Sequence, residues 1–328
     1  MKRTTKKILI IRPGAIGDVA QTTIIPKSIK AAHPDYIIHY FTQCEIKPLL
    51  DGNPYIDKVI PFDRKKRKEI GYIFSIIKQL FNERYDIIFN LTNSFRNMLI
   101  SFFSFPNRIV SRKYSDGLWV EDFFLTAKSV IPDIEISNRL FLSKNNEQDF
   151  EIKQILDKYP KPHIVFIPAG NTDKNRQGRI WNIKYWKELS KMVLNKYGGT
   201  VFICGSKSER KFHDELSTDN VIVLSGNYDL AGSSTLLSYA DLVVSGDTGP
   251  IHIASAHNVK TLALLGSTSP DKIKPYGENG YFISTDTDCK YCWQKKCKYL
   301  KPNEKYTPCM ENLYPEAVLK KIDEIFNK

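Results

Sequence analysis

Long apolar runs are missing from this chain. No stretch approaches the ~20 residues that a membrane-spanning helix needs, and the longest candidate, 98–105, stops at Pro106. The apolar run 8–11 is too short for a signal-peptide core and leads straight into Arg12, so a cytoplasmic protein is expected. Internal repeats and low-complexity segments are also lacking. Acidic residues are the minority: 36 Asp and Glu against 48 Lys and Arg leave a formal charge of +12, which calls for an acidic partner. The densest basic run, Arg64-Lys65-Lys66-Arg67-Lys68, has no interleaved aromatics to stack on bases, and no nucleic-acid motif occurs elsewhere, so nucleic acid is not the expected partner. A solvated face is the plainer reading of that run. Peripheral contact with the cytoplasmic face of an anionic inner membrane stays open beside it.

What is present points to two α/β domains. A length of 328 residues, 42% hydrophobic and 26% charged, suits two soluble domains with separate cores. Residues 8–11 are all aliphatic, as in a strand buried on both faces, and run into Arg12-Pro13-Gly14-Ala15-Ile16-Gly17-Asp18 and a helix reaching 30–32. The turn is not a dinucleotide fingerprint, because it lacks the first glycine and the next strand, 36–41, ends in Thr42-Gln43 without an acid for a ribose. Further strands are expected at 58–61, 86–91 and 108–111, with helices such as 73–81 between them. A helix at 147–158 is broken by Pro160-Lys161-Pro162, which places the boundary between domains of 1–158 and 159–328. The pattern then restarts with strands at 163–168, 200–204, 221–224, 241–245 and 261–265, and a C-terminal helix at about 315–327 shows one apolar stripe. Two doubly wound, Rossmann-like domains facing a cleft are expected, with ligands at the carboxyl ends of the strands.

The most informative stretch is Val243-Val244-Ser245-Gly246-Asp247-Thr248-Gly249-Pro250-Ile251-His252. It reads as strand, tight turn and helix N-terminus. Gly246 and Gly249 let the backbone approach a ligand, and the free N–H groups of the first helical turn suit a diphosphate. The same stretch also fits an ordinary turn in which Asp247 or Thr248 only caps the helix.

Seven blocks follow one another along the chain: the first loop 10–18, His33-Pro34-Asp35-Tyr36, Pro48-Leu49-Leu50, Asn93-Ser94-Phe95-Arg96, Pro168-Ala169-Gly170 with Arg179-Ile180-Trp181 and Tyr185-Trp186, Asp247-Thr248-Gly249-Pro250-x-His252, and Gly266-Ser267-Thr268-Ser269-Pro270. In this order they resemble glycosyltransferase family 9, the bacterial heptosyltransferases. The segment Asn93 to Arg96 is similar to the Asn-Ser-Phe-Lys of the branch that adds the second heptose. Two departures stand out: Arg179 and Asn182 replace the family's Lys and Pro, and Pro-Ala-Gly replaces Pro-Gly-Ala. Arg179 keeps the charge but not the geometry of a lysine.

The resemblance implies a GT-B fold and inverting transfer of heptose from ADP-heptose to a lipopolysaccharide inner-core acceptor, lipid-linked or oligosaccharide, without a catalytic cofactor. Such transfer needs a base for the acceptor hydroxyl and a cationic or dipolar site for the departing diphosphate. Asp18 is implied as the base, with a plain N-cap as its alternative role. Catalytic Arg179 also belongs to a donor set with Gly17, Thr172, Glu209, Asp247, Thr248, Gly249 and His252. Lys174, Asn175 and Arg176 are loop residues near that set. His252 reads equally as a core histidine. Asn93, Ser94 and Arg96 are implied on the acceptor side, in the N-terminal domain. A related transferase using another nucleotide sugar on a different glycan or protein is the alternative, and so is a non-catalytic nucleotide-sugar-binding protein, which the presence of Asp18 disfavours.

Cys44 and Cys204 are isolated thiols. Cys289, Cys292, Cys297 and Cys309 cluster in an insertion at about 286–312, where a structural zinc or iron site, free thiols and disulfides are the alternatives. The insertion is expected to lie away from the Asp18 and Asp247 turns. Asp286-Thr287-Asp288 reads as a solvated loop rather than a cation site.

Overall fold

The computed structural model describes residues 5–144, 146–168, 177–294, 296–301 and 303–328. The chain divides into two compact units, residues 1–143 and 144–328. The sequence put the break at 158. The helix before it instead joins the second unit, where it packs on a neighbouring helix and Asp149 accepts a hydrogen bond from the Tyr239 hydroxyl.

In the first unit β1 (Lys7–Ile11), β2 (Ile37–Gln43), β3 (Lys58–Phe62), β4 (Ile87–Asn90) and β5 (Arg108–Ser111) form a wholly parallel sheet in the order β3-β2-β1-β4-β5. Ile8, Leu9, Ile10 and Ile11 are fully buried because helices cover both faces. Leu9 and Ile11 pack with Ile76, Leu80 and Ile100 of α3 (Ile70–Glu83) and α4 (Phe95–Phe103). On the other face, Thr22 of α1 (Ile16–Thr22) lies 2.5 Å from the hydroxyl of Tyr40, which pairs with Ile10, and α2 (Ile24–Ala32) packs on α5 (Trp119–Lys128).

The second unit opens with α6 (Asn146–Leu156) and repeats the winding. β6 (His163–Ile167), β7 (Thr200–Ile203), β8 (Val221–Val223), β9 (Leu242–Gly246), β10 (Thr261–Leu265) and β11 (Gly280–Ser284) are parallel in the order β11-β10-β9-β6-β7-β8. Its helices are α7 (Ile183–Tyr197), the short α8 (Arg210–His213), α9 (Leu230–Leu237), α10 (Gly249–Ala256), α11 (Pro270–Ile273), α12 (Pro308–Glu311) and α13 (Pro315–Phe326). Val318, Ile322 and Ile325 of α13 enter the core with Trp186, Leu189 and Val193 of α7, which fixes the C-terminal helix as part of the fold. Both orders place the first and fourth strands side by side, with the chain winding outward in opposite directions from them.

Two histidines, His39 buried and His257 half-buried, make the fold sensitive to acid. His39 on β2 lies 2.8 Å from the Tyr85 hydroxyl, and burial, reinforced by Lys7, lowers its pKa to about 4. His257 lies 2.8 Å from Ser234 Oγ, and burial lowers its pKa to about 4 as well. In the unfolded chain each takes its proton near 6.5. Between these values the unfolded state holds more protons, so stability falls as pH drops through that window. The Tm is therefore expected to decline between pH 6.5 and 4, and His39→Asn and His257→Asn should each flatten the decline; an unchanged slope in both variants would exclude these histidines as its source.

Candidate active site

Each sheet has a polar turn system at the carboxyl ends of its first and fourth strands. In the second unit β9 ends at Gly246, Thr248 takes the N-cap position with an extended backbone, and α10 begins at Gly249. Thr248 Oγ1 lies 2.8 Å from Ser245 Oγ, so this hydroxyl braces the turn and makes no side-chain capping bond. Asp247 does not cap the helix either. Its Oδ2 stands 3.0 Å from Nη1 of Arg179, with the two side chains 9% and 23% exposed.

Arg179 reaches that position because its own turn is laid across the strand tips. Residues Gln177–Arg179 form a single 3-10 turn, Ser267 N–H donates to the Gly178 carbonyl at 3.1 Å, and a Cβ on Gly246 would stand 2.7 Å from the Arg179 carbonyl oxygen. Gly246 is therefore required by close approach of two backbones. Ile180 and Trp181 follow into the core, Trp181 Nε1 donating to the Leu313 carbonyl at 2.7 Å. Asn182 is the N-cap of α7, its Oδ1 accepting from Lys184 N–H at 3.0 Å, which accounts for a polar residue where a proline was the expected type. A guanidinium beside the N-terminus of an eight-residue helix is an arrangement suited to a diphosphate.

The other donor candidates separate. His252 is 5% exposed on α10, within a run of buried residues from Ile251 to Ala256, and so occupies a core position. Glu209 Oε2 accepts from Ser206 N–H at 2.8 Å and Ser206 Oγ at 2.6 Å, closing a capping box. Thr172, Lys174, Asn175 and Arg176 lie outside the described residues. Sequence reasoning missed His213, which is fully buried and ties two strand ends together: Nε2 lies 2.8 Å from the Pro168 carbonyl after β6, and Nδ1 lies 2.7 Å from Ser225 Oγ after β8.

In the first unit Asp18 is the third residue of α1, and the N-cap is Ala15, without a side-chain capping bond. The capping role considered for Asp18 is thus not the one it has. Arg12 pairs with Asp18 and also donates to the Leu91 carbonyl beyond β4, bridging the first and fourth strands. Gly17 is buried in the same helical turn. Next to this pair, Arg112 Nη2 donates to Asp122 Oδ2 at 3.1 Å and its guanidinium stacks 4.2 Å from the Phe123 ring centroid; Arg12 faces the same ring from 5.8 Å. Neither arginine partner carried a local sequence signal. Asn93 and Ser94 lie in the turn from β4 into α4, and Arg96 is the second residue of that helix. Asn93 Oδ1 accepts from the Tyr114 hydroxyl at 2.8 Å, Ser94 is the N-cap of α4 without a side-chain capping bond, and Arg96 borders a groove with Arg67 and Lys68.

Cys289, Cys292, Cys297 and Cys309 line one small pocket together with Gly178 and Ser267. The insertion was expected to lie away from the Asp247 turn. The structure instead brings it onto the neighbouring strand tips, where Tyr291 and Trp293 N–H donate to the carbonyls of Gly266 and Ser267 at 3.0 and 2.8 Å. None of the four is in a disulfide, and among the described residues no three His, Cys, Asp or Glu side chains are arranged as a ligand set. Asp286 is exposed and pairs with Lys290 at 2.5 Å.

Two parallel doubly wound sheets in tandem, each with a polar turn at the carboxyl ends of its central strands, place the chain among two-domain α/β proteins of the kind that bind nucleotides. Residues 73–302 match the model of glycosyltransferase family 9 (heptosyltransferase), and the chain belongs to that family. It is similar to lipopolysaccharide heptosyltransferase 2 of Escherichia coli K12, 24% identical over 351 residues that cover 97% of this chain and 98% of the relative. Among solved structures it resembles the E. coli ADP-heptose lps heptosyltransferase II with a TM-score of 0.78 at 22% identity, covering 97% and 98% of the two chains. It also resembles the iron-containing dodecameric glycosyltransferase TibC of enterotoxigenic E. coli H10407, with a TM-score of 0.59 at 14% identity, covering 98% of this chain and 76% of that one.

The glycine rule at the Arg179 turn is testable. Gly246→Ala pushes a methyl against a backbone carbonyl that cannot swing aside and should cost about 1–3 kcal/mol. Gly71→Ala, where a Cβ meets nothing, serves as the control. Equal melting temperatures for the two variants would mean that the Arg179 turn is not seated as described.

Proposed function

We propose that this glycosyltransferase moves heptose, with inversion, from ADP-heptose to a lipid-linked or oligosaccharide acceptor of the lipopolysaccharide inner core. The observation that carries the donor half is the Arg179–Asp247 pair at the N-terminus of α10. Arg179 and the N–H groups of Thr248 and Gly249 take the charge that grows on the diphosphate as the sugar bond breaks. Asp247 keeps the guanidinium in place. On the first unit Asp18 removes the proton from the attacking acceptor hydroxyl, and Arg12 fixes the orientation of its carboxylate. Asn93, Ser94 and Arg96 serve the acceptor. Family membership and the similarity to the E. coli ADP-heptose heptosyltransferase II support heptose and ADP.

The chemical step uses no metal in this reading. The four-cysteine pocket has a donor set of the kind that takes zinc or iron. Its thiols are not arranged as a ligand set among the described residues.

Two experiments test the proposal. ADP should raise the Tm more than UDP, GDP or NAD does, since a ligand at 100 times its dissociation constant stabilises by about 2.7 kcal/mol. A preference for UDP would instead indicate a different nucleotide sugar. Asp18→Asn should lower turnover by ~100-fold or more while ADP affinity stays near wild type, because the diphosphate ligands are on the other unit. Any loss of stability in that variant reads the broken pair with Arg12, so turnover is compared where both proteins are folded. A fully active Asn variant would remove Asp18 from the mechanism.

A further inference from the structure

The outer face of α3 and α4 on the first unit is apolar where solvent-facing helices are ordinarily polar. Ile76 and Leu80 turn α3 inward to the core, yet Ile70, Phe74 and Phe81 are 86, 67 and 49% exposed, with half-buried Ile77 between them. The spacing 70, 74, 77, 81 makes a second stripe down the helix. The neighbouring α4 repeats the pattern, with Phe95, Leu99 and Phe102 on one line and Met98 and Phe103 beside it, all exposed. The two helices pack side by side, and the Phe105 ring joins their C-terminal ends, standing 5.9 Å from Phe81 and 6.4 Å from Phe102. Single exposed apolar residues are common, but a continuous aromatic surface of this kind marks an interaction site.

Its charge says what it meets. From residue 64 to 82 there are six Lys and Arg and one acid, Glu69. The run 64–68 is held in a turn leading into α3, Lys65 N–H donating to Asp63 Oδ1 at 2.8 Å and Glu69 N–H to the Lys66 carbonyl at 2.9 Å. Arg67, Lys68 and Arg96 rim an open groove whose apolar wall is Ile70, Ile73, Phe74 and Ile77. Among the described residues no helix is long and apolar enough to cross a membrane, so a lipid contact of this unit has to be made at the surface.

We propose that this face docks on an anionic phospholipid bilayer. The aromatic stripes of α3 and α4 enter the interfacial layer, and the 64–68 run lies over the anionic headgroups. The placement suits an enzyme with a lipid-linked acceptor, but it rests on no step of the transfer chemistry.

The test uses the full chain without donor or acceptor, in co-sedimentation with vesicles of phosphatidylcholine alone and with about 30% phosphatidylglycerol. Binding is expected only to the anionic vesicles and should weaken with salt. Each basic residue near the surface contributes about fivefold, so Lys65→Gln with Lys66→Gln should weaken partition by about 25-fold. Phe74→Ser with Phe102→Ser should remove the binding that survives salt, with circular dichroism unchanged because both rings are exposed. Equal binding to neutral vesicles, or wild-type binding by both double variants, would overturn the proposal. So would a wild-type dimer that the serine variant dissociates without any vesicle binding, which would assign the face to a second copy. ADP-induced stabilisation measured on the same variants reports the donor site separately, so failure of the docking surface and failure of the proposed transfer are told apart.

Discussion

The constraint on which the rest depends is parallel pairing of the first and fourth strands. β1 pairs with β2 and β4, and β6 with β7 and β9, so in each sheet the chain leaves this central pair in opposite directions. The loops above the pair diverge, leaving polar backbone that no neighbouring crossover covers. In both units an arginine spans the gap. Arg12 lies in the loop after the first strand and reaches Asp18 and the Leu91 carbonyl beyond the fourth; Arg179, in the segment after β6, reaches Asp247 beyond β9. Each acid sits at or just before a helix N-terminus, where the dipole favours negative charge, and the arginine offsets its partial burial. The same solution thus supplies a held carboxylate in one unit and a held cation in the other.

That symmetry explains which parts were legible from residues alone. The strand at 261–265 was read with the bounds observed, because a strand buried on both faces is a short aliphatic run ended by a turn signal. The strand at 108–111 was read with its observed bounds as well, although it is an edge strand with only Val110 buried. The edge strand Gly280–Ser284 was not read as a strand, since it is half-buried and carries a weaker signal. α5 was not foreseen; its charged residue Asp122 is buried by the pair with Arg112, a contact that no local pattern announces. The break between units was displaced for a similar reason. Pro160-Lys161-Pro162 ends a helix locally, whereas unit membership is set by where that helix packs.

The site was legible in its acids and glycines and illegible in their partners. Asp18 and Asp247 stand beside turn residues whose spacing is visible in one dimension. Arg12, Arg112 and His213 take their meaning from groups 79, 10 and 45 residues away, to which they bond only after the strands have paired. Glu209, placed in the donor set from its sequence position, also has a partner the sequence did not announce: a serine three residues earlier, whose N–H and hydroxyl both donate to its carboxylate.

The cysteine insertion shows how far a contact can act without touching a ligand. The chain after β11 returns to the tips of the sheet, and the backbone of Tyr291 and Trp293 bonds to Gly266 and Ser267. A Cβ on Gly266 would stand 2.6 Å from the Gly178 carbonyl and 2.9 Å from Cys309 Sγ, so this corner is closed on both sides. Ser267 N–H in turn holds Gly178, the residue before Arg179. Packed backbone of this kind has little room to relax, so the position of the guanidinium that faces Asp247 is set partly by the backbone of this loop.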